Sequence, residues 1–209
     1  MGTGDNACIL HYNSNNAEIK KGDLVLIDAG CEYDCYASDI TRTFPASGKF
    51  TEEQRLIYEI VLLAQNEAIK TVLPGNTWNA PHDISVKVIV QGLLKLGLLK
   101  GSLSQQLKSE EYKRYYMHRV GHWLGMDVHD VGDYKIDGHW RLLEPGMVTT
   151  IEPGIYISPS DNSISKKWRG IGIRIEDDVL VTKTGYRILS TGIPKTVAEI
   201  ETHMSTKVN

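Results

Sequence analysis

The stretch LVLIDAGCEYDCYASDITRTFP, Leu24 to Pro45, sets two aspartates where a chain seldom puts them. An apolar run, Leu24 to Ile27, ends on Asp28, and Asp39 follows eleven positions later. Folded as a hairpin about Tyr33-Asp34, the segment places Asp28 directly opposite Asp39. Facing side chains in an antiparallel pair have Cβ atoms only about 4.5–5.5 Å apart, and like charges there are destabilising. Such a pair needs a cation, or one carboxyl must hold its proton at a raised pKa. Further ligand-type residues stand on strand-like segments. Glu152 ends a run before Pro153-Gly154, and in GIGIRIEDD the alternation puts Arg174 and Glu176 on one face if Ile171, Ile173 and Ile175 face the core. MHRVGHWLGMDVHD adds His118, His122 and His129, but Arg119 after the first histidine rules out the H-E-x-x-H zinc-protease motif.

Singly, each residue has a plainer role. A strand-end aspartate is ordinarily a turn former, and Glu176 beside Arg174 is ordinarily half of a weak surface ion pair. A histidine among apolar neighbours is ordinarily structural. Together, four carboxylates and a histidine make an oxygen-rich set that suits Mn²⁺ or another divalent ion rather than a thiolate zinc site. Five ligands exceed what one catalytic zinc takes, but can hold a metal pair with bridging carboxylates. Spacing alone does not bring Glu152, Glu176 and His122 to Asp28 and Asp39.

The elements that must position them form an α/β chain with a mostly antiparallel sheet. ACILHY (Ala7–Tyr12) and DLVLID (Asp23–Asp28) read as strands, and YASDITRTF (Tyr36–Phe44) as the return arm of the hairpin. Thr51 opens a helix with Gln54 in capping-box spacing. Its apolar face is Leu56, Ile57, Ile60, Val61, Ala64 and Ala68, and Pro74-Gly75 ends it. A second helix is predicted from about Pro81 to Leu96, with Ile84, Val88, Ile89 and Leu93 inward. SLSQQLKSEEYKRYY is polar and carries no clear pattern. Strands are predicted in Gly146–Ile157, Gly170–Thr182 and Tyr186–Leu189. With no repeat, low-complexity tract or linker, residues 1–209 read as a single domain.

The bulk numbers bound the partners. Of 209 residues 41% are hydrophobic and 23% charged, as in an ordinary globular protein. Lys+Arg 23 against Asp+Glu 26 gives a net charge of −3, which offers nothing to nucleic acid or a membrane surface. No stretch approaches a membrane span, and the N-terminus lacks the regions of a signal peptide. Three cysteines near the N-terminus form neither a disulfide framework nor a zinc site, so a cytoplasmic protein with reduced thiols is expected.

The blocks NACILHY, GDLVLIDAGCEYDCYASDITRTFP, MHRVGHWLGMDVHDVG, LEPGMVTTIEPGIY and RGIGIRIEDDVLVT resemble, in order, those of the Xaa-Pro aminopeptidases of the pita-bread metallopeptidase group. The resemblance runs over most of Asn6 to Thr182. It implies a pita-bread fold, a curved and mostly antiparallel sheet with helices on its outer side. It also implies two divalent metal ions, usually manganese, and peptide substrates with proline at position two. Asp28 would chelate one metal, His122 and Glu152 the other, with Asp39 and Glu176 bridging. A metal-bridging hydroxide would attack the Xaa-Pro bond, and Glu152 would also serve as general base. His118 and His129 would hydrogen-bond substrate and stabilise the oxyanion, while His11, Tyr156 and Arg174 match secondary residues around the site.

Members of that family are usually about twice this long, with a separate N-terminal domain and with helices before the NACILHY strand. The chain is therefore expected to be N-terminally truncated, to expose apolar strand faces, and to form a homo-oligomer or dissolve poorly. Two alternatives share the ligand residues: a prolidase that cleaves only Xaa-Pro dipeptides, and a truncated, non-catalytic metal-binding or interaction module. Methionine aminopeptidase shares the ligands too, with poorer matches around them.

Overall fold

The computed structural model describes residues 1–206. The first half holds β1 (Gly2–Thr3), β2 (Leu24–Ala29), β3 (Glu32–Tyr33), β4 (Tyr36–Ala37), β5 (Ile40–Pro45), α1 (Glu52–Ile69), α2 (Ala80–Lys95) and α3 (Leu103–Ser109). The second holds β6 (Lys135–Ile136), β7 (His139–Trp140), β8 (Val148–Ile151), β9 (Gly154–Tyr156), β10 (Gly172–Arg174), β11 (Asp177–Val181), β12 (Tyr186–Ile188) and α4 (Val197–Ser205). Every strand pairing among the described residues is antiparallel, in the orders β1-β2-β5, β12-β11-β8, β9-β10, β3-β4 and β6-β7.

The hairpin forms, in a register different from the one expected. Tyr33 pairs with Tyr36, so the turn is Asp34-Cys35, with φ of 49° and 62°. Two successive positive φ values suit the right-handed twist of the arms. Asp28 consequently faces Thr41, and Ala29 faces Ile40. The shift is two residues, an even number, so Asp39 stays on the face of Asp28 as its diagonal neighbour.

Thr51 caps α1 with the full capping box to Gln54, but the helix stops at Ile69, short of Pro74-Gly75. There the Thr71 hydroxyl donates to the Ala68 carbonyl at 2.7 Å and closes the last turn. The polar stretch hides a second capping box, Ser102 with Gln105, which starts α3. Ala7–Tyr12 is not a strand. Gly4–Cys8 is a 3-10 turn, because Gly2–Thr3 already occupies the ladder position beside β2. Ala7-Cys8 instead packs on Gly172 so closely that a Cβ there would lie 2.4 Å from the Ala7 carbonyl.

α1 and α2 cover one side of the sheets. Ile57, Val61, Ala64, Val86, Ile89, Val90 and Leu93 pack with Ile155, Ile157, Ile171, Ile173 and Ile175 in one core. Full burial of each large aliphatic side chain contributes about 1.5–3 kcal/mol. A second core joins Ala68, Ile69, Trp78, Val120, Trp123, Ile151, Val179 and Val181. The helices present thus cover the inward faces of β8 to β11, while apolar residues of β3, β4, β6 and β12 (Tyr33, Tyr36, Ile136 and Tyr186) are exposed. Further exposed apolar side chains lie on α1 (Leu63) and in loops (Met126, Val131). None of the described helices is long and apolar enough to cross a membrane.

Candidate metal centre

Three ladders run side by side and carry the ligand-type residues together. The Val120–Leu124 segment lies against β8: Glu152 donates its N–H to the Val120 carbonyl at 2.6 Å, Thr150 to His122 at 3.0 Å, and Leu124 to Val148 at 3.2 Å. β8 pairs with β11 so that Ile151 faces Asp177, which sets Glu152 and Glu176 across from each other one step further on. Glu176 in turn donates its N–H to the Thr41 carbonyl at 3.1 Å. The Asp39 N–H bonds the Asp178 carboxylate at 3.2 Å. Because Ile151 and Ile175 point into the cores, Glu152 and Glu176 point the other way. Close approach at Gly121 is part of this design, as a Cβ there would meet the Thr150 carbonyl oxygen at 1.9 Å. Gly121→Ala is expected to cost about 1–3 kcal/mol and to weaken metal binding; an unchanged melting temperature would count against this packing.

The resulting cluster has two carboxylate-rich lobes, and a third group, Asp39, His122 and His129, overlaps them. Ligand atoms of Asp28, Asp39 and Glu176 lie within 4.8 Å of one another, and so do those of His122, Glu152 and Glu176. Glu176 belongs to both. Nε2 of His122 is 3.4 Å from Asp39 and 3.7 Å from Glu152. The other ring nitrogen, Nδ1, donates to the Trp123 carbonyl at 2.9 Å, which turns Nε2 toward the carboxylates. Glu176 is 1% exposed; its Oε2 accepts from Thr41 at 2.6 Å, while its Oε1 is buried with no protein partner. A buried carboxylate oxygen without a donor is costly, and a divalent cation shared between the lobes would satisfy it. The donor set therefore fits hard divalent ions.

The electrostatics describe a cluster short of positive charge. Burial pushes the Glu152 carboxyl up to about 7, with Arg174 and His122 working against it. Burial raises Glu176 well above the carboxylate range, helped by Glu152 and Asp39. Asp28 is raised by burial despite Arg174, and Asp39 adds to the rise. Asp39 goes the other way: burial would raise it, but hydrogen bonds from His122 and Asp28 outweigh that. Metal-free, the cluster holds protons where cations would sit.

Arg174 is buried and bonds Asp28 at 2.6 Å, the Tyr156 hydroxyl at 3.1 Å and Thr41 at 3.2 Å. Tyr156 accepts from Arg174 and donates to Nε2 of His118 at 2.9 Å, while Nδ1 of His118 donates to the Arg119 carbonyl at 2.7 Å. Burial holds His118 down to about 4, so its ring is neutral and both nitrogens are engaged. With its one proton on Nδ1, Nε2 is an acceptor here, so donation to a substrate would require it both to release Tyr156 and to gain a proton. His129 is exposed, its ring centroid 4.2 Å from that of His122. His11 lies at the rim of the same cavity. Thr41 and Asp178 were missed by sequence reasoning. Asp39-x-Thr41-x-Thr43 alternates like GIGIRIEDD, and that period would have put Thr41 beside the carboxylates.

Residues 1–183 match the family model of the M24 metallopeptidases. The chain belongs to metallopeptidase family M24. It is 52% identical over 202 residues to the Xaa-Pro aminopeptidase of Haemophilus influenzae, covering 97% of this chain and 46% of that protein. The structure of Pseudomonas aeruginosa aminopeptidase PepP superimposes with a TM-score of 0.96 at 61% identity, over 97% of this chain and 46% of that one. Escherichia coli aminopeptidase P with the inhibitor Pro-Leu gives 0.93 at 50% identity, with the same shares of each chain. The fold is that of the aminopeptidase P structures, and the chain spans about half the length of these relatives.

Proposed function

We propose that the protein is a metallo-aminopeptidase that releases the N-terminal residue from peptides with proline in the second position, using two divalent ions, Mn²⁺ by preference. The observation that carries this reading is the two-lobed cluster sharing Glu176, whose Oε1 has no protein partner. Similarity to Xaa-Pro aminopeptidases supports the substrate class. In this reading Asp28 holds one ion, His122 and Glu152 the other, and Asp39 and Glu176 lie between. When bound, the ions supply Lewis acidity and lower the pKa of an attacking water.

The remaining work falls to the chain. Glu152, at the edge of the cluster beside His118 and His122, would take a proton from the attacking water and return it toward the leaving nitrogen. In this reading His129, and His118 once its Nε2 carries a proton, would donate to a developing oxyanion. Arg174 fixes Asp28 and Tyr156 in place. The two adjoining cores support one catalytic domain over residues 1–209, and the free cysteines a cytoplasmic setting. The exposed Leu63 of α1, with Tyr33, Met126 and Val131, supports self-association.

Calorimetric titration of the metal-free protein with Mn²⁺, followed by hydrolysis assays, tests the proposal. Two bound equivalents and faster release from Xaa-Pro-Yaa than from Xaa-Pro are expected; absence of saturable binding, or cleavage of dipeptides alone, would overturn it. The pH dependence has a definite sign. Metal binds the deprotonated carboxylates, so with Glu152 near 7 the apparent affinity should fall by roughly tenfold from pH 8 to pH 6. Proton release should be visible as buffer-dependent heats, and pH-independent affinity would contradict the assignment of Glu152.

A further inference from the structure

The cavity that holds the carboxylate cluster also has an aromatic and cationic lining. Its volume is about 410 Å³, and that lining includes Trp78, Arg119, Tyr134 and Trp140. Trp78 and Tyr134 have ring centroids 4.3 Å apart, and Trp78 and Trp140 lie at 5.9 Å. The guanidinium of Arg119 sits 4.9 Å from the Trp140 ring centroid and 5.5 Å from that of Trp78. Both lie within cation–π range. On Trp140, Lys135 adds an ammonium at 4.3 Å.

The two arginines of this cavity differ in what they have left to give. Arg174 is spent on Asp28, Tyr156 and Thr41. The Arg119 guanidinium donates one hydrogen bond among the described residues, to Asn79 Oδ1. A guanidinium carries five N–H donors in one plane, and stacking on a ring leaves that plane's edge available for a planar acceptor. Two tryptophans restrict how the side chain can move, which lowers the entropy lost on binding. A carboxylate is the acceptor that fits such a fork.

The charges in the lining point to the ligand. Its lining joins four carboxylates to a guanidinium held on aromatic rings, which suits a short peptide that carries both an amine and a carboxylate. In a peptide whose scissile bond precedes the proline, a carboxylate on the departing side sits on the residue after the proline or beyond it. We infer that Arg119, held against Trp78 and Trp140, is a specificity residue that receives a carboxylate carried by the residue after the proline. This rests on the aminopeptidase reading for the direction of the peptide.

The Mn²⁺-loaded protein is tested with Ala-Pro-Ala, its C-terminal amide, and Ala-Pro-Glu amide, alongside Arg119→Gln and Arg119→Lys. Binding is read from tryptophan fluorescence, using the product-like Pro-Ala and Pro-Ala amide, and hydrolysis is followed separately. The parent should bind the free acid about tenfold more tightly than the amide. Arg119→Gln should lose that difference through KM rather than kcat, and Arg119→Lys should retain part of it. Recovery of affinity by Ala-Pro-Glu amide would assign the carboxylate to the side chain, and failure to recover would assign it to the C-terminus. Equal binding of acid and amide by the parent, or an equal loss for both in Arg119→Gln, overturns the inference whether or not hydrolysis occurs. Absence of hydrolysis with the discrimination intact would instead count against the aminopeptidase reading alone.

Discussion

Glu176→Gln should leave a protein that folds at least as well as the parent without metal, yet gains nothing when Mn²⁺ is added. The two halves of this result have one cause. Burial keeps the Glu176 carboxyl protonated well above the usual range, so its charged form opposes folding at neutral pH. A glutamine mimics the neutral acid, and its carbonyl oxygen can still accept the 2.6 Å bond from Thr41. It cannot offer an anionic oxygen to both lobes. Changes to residues that merely orient a metal ligand already cost 10- to 100-fold in affinity, so loss of the shared ligand should cost more than about 100-fold. The parent at a Mn²⁺ concentration of about 100 times Kd should gain about 2.7 kcal/mol, read as a rise in melting temperature. The variant should show no rise and no measurable hydrolysis. An equal rise in both proteins would remove Glu176 from the centre.

How much of this was legible in the sequence depends on the kind of information needed. The alternation of Ile171, Ile173 and Ile175 with Arg174 and Glu176 was readable because period two is a property of the strand itself. The capping box at Thr51 was readable for the same local reason. The hairpin register was only half readable. Turn residues set it, and Asp34-Cys35 lacks the Asn-Gly or Asp-Gly signature that would have marked the two positive φ values. The face of Asp28 and Asp39 survived because the error was even. Ala7–Tyr12 failed because strand patterning does not say which segment reaches a ladder first, and Gly2–Thr3 took the place beside β2. That His122 and Glu152 meet is a long-range fact, carried by the pairing of Val120–Leu124 with β8. No local pattern encodes it, and only resemblance to a family anticipated it. The wall of Trp78, Arg119 and Trp140 depends on three separated loops and strands and left no signal at all.

Arg42→Ala should cause the largest loss of stability among these changes, and should weaken the metal centre from behind. Asp177 is 1% exposed and bonds Arg42 at 2.7 Å, Lys195 at 2.8 Å, Gln65 at 2.9 Å and Ser190 at 2.6 Å. Burial alone would raise its carboxyl, but Arg42, Lys195 and Ser190 outweigh burial and hold it low. Removing one partner from a buried ion pair typically costs about 3–5 kcal/mol. In a protein of this size that corresponds to a fall of roughly 6–20 °C in melting temperature. The sign with pH follows from the lowered carboxyl. Its contribution is present above the ordinary aspartate value and disappears as pH falls through the folded one, so the gap between parent and variant should shrink below about pH 4. Arg42 reaches further than Asp177. Its Nη1 donates to the Glu176 carbonyl at 2.6 Å and to the Thr41 carbonyl at 2.9 Å, tying β5 to the residue shared by both lobes. Mn²⁺ affinity should therefore fall in Arg42→Ala although Arg42 offers the metal nothing. Thermal unfolding and titration of the same preparation separate the two effects. If melting falls while affinity holds, the network supports the fold alone; if both fall, the strand that carries Thr41 is what keeps Glu176 in position.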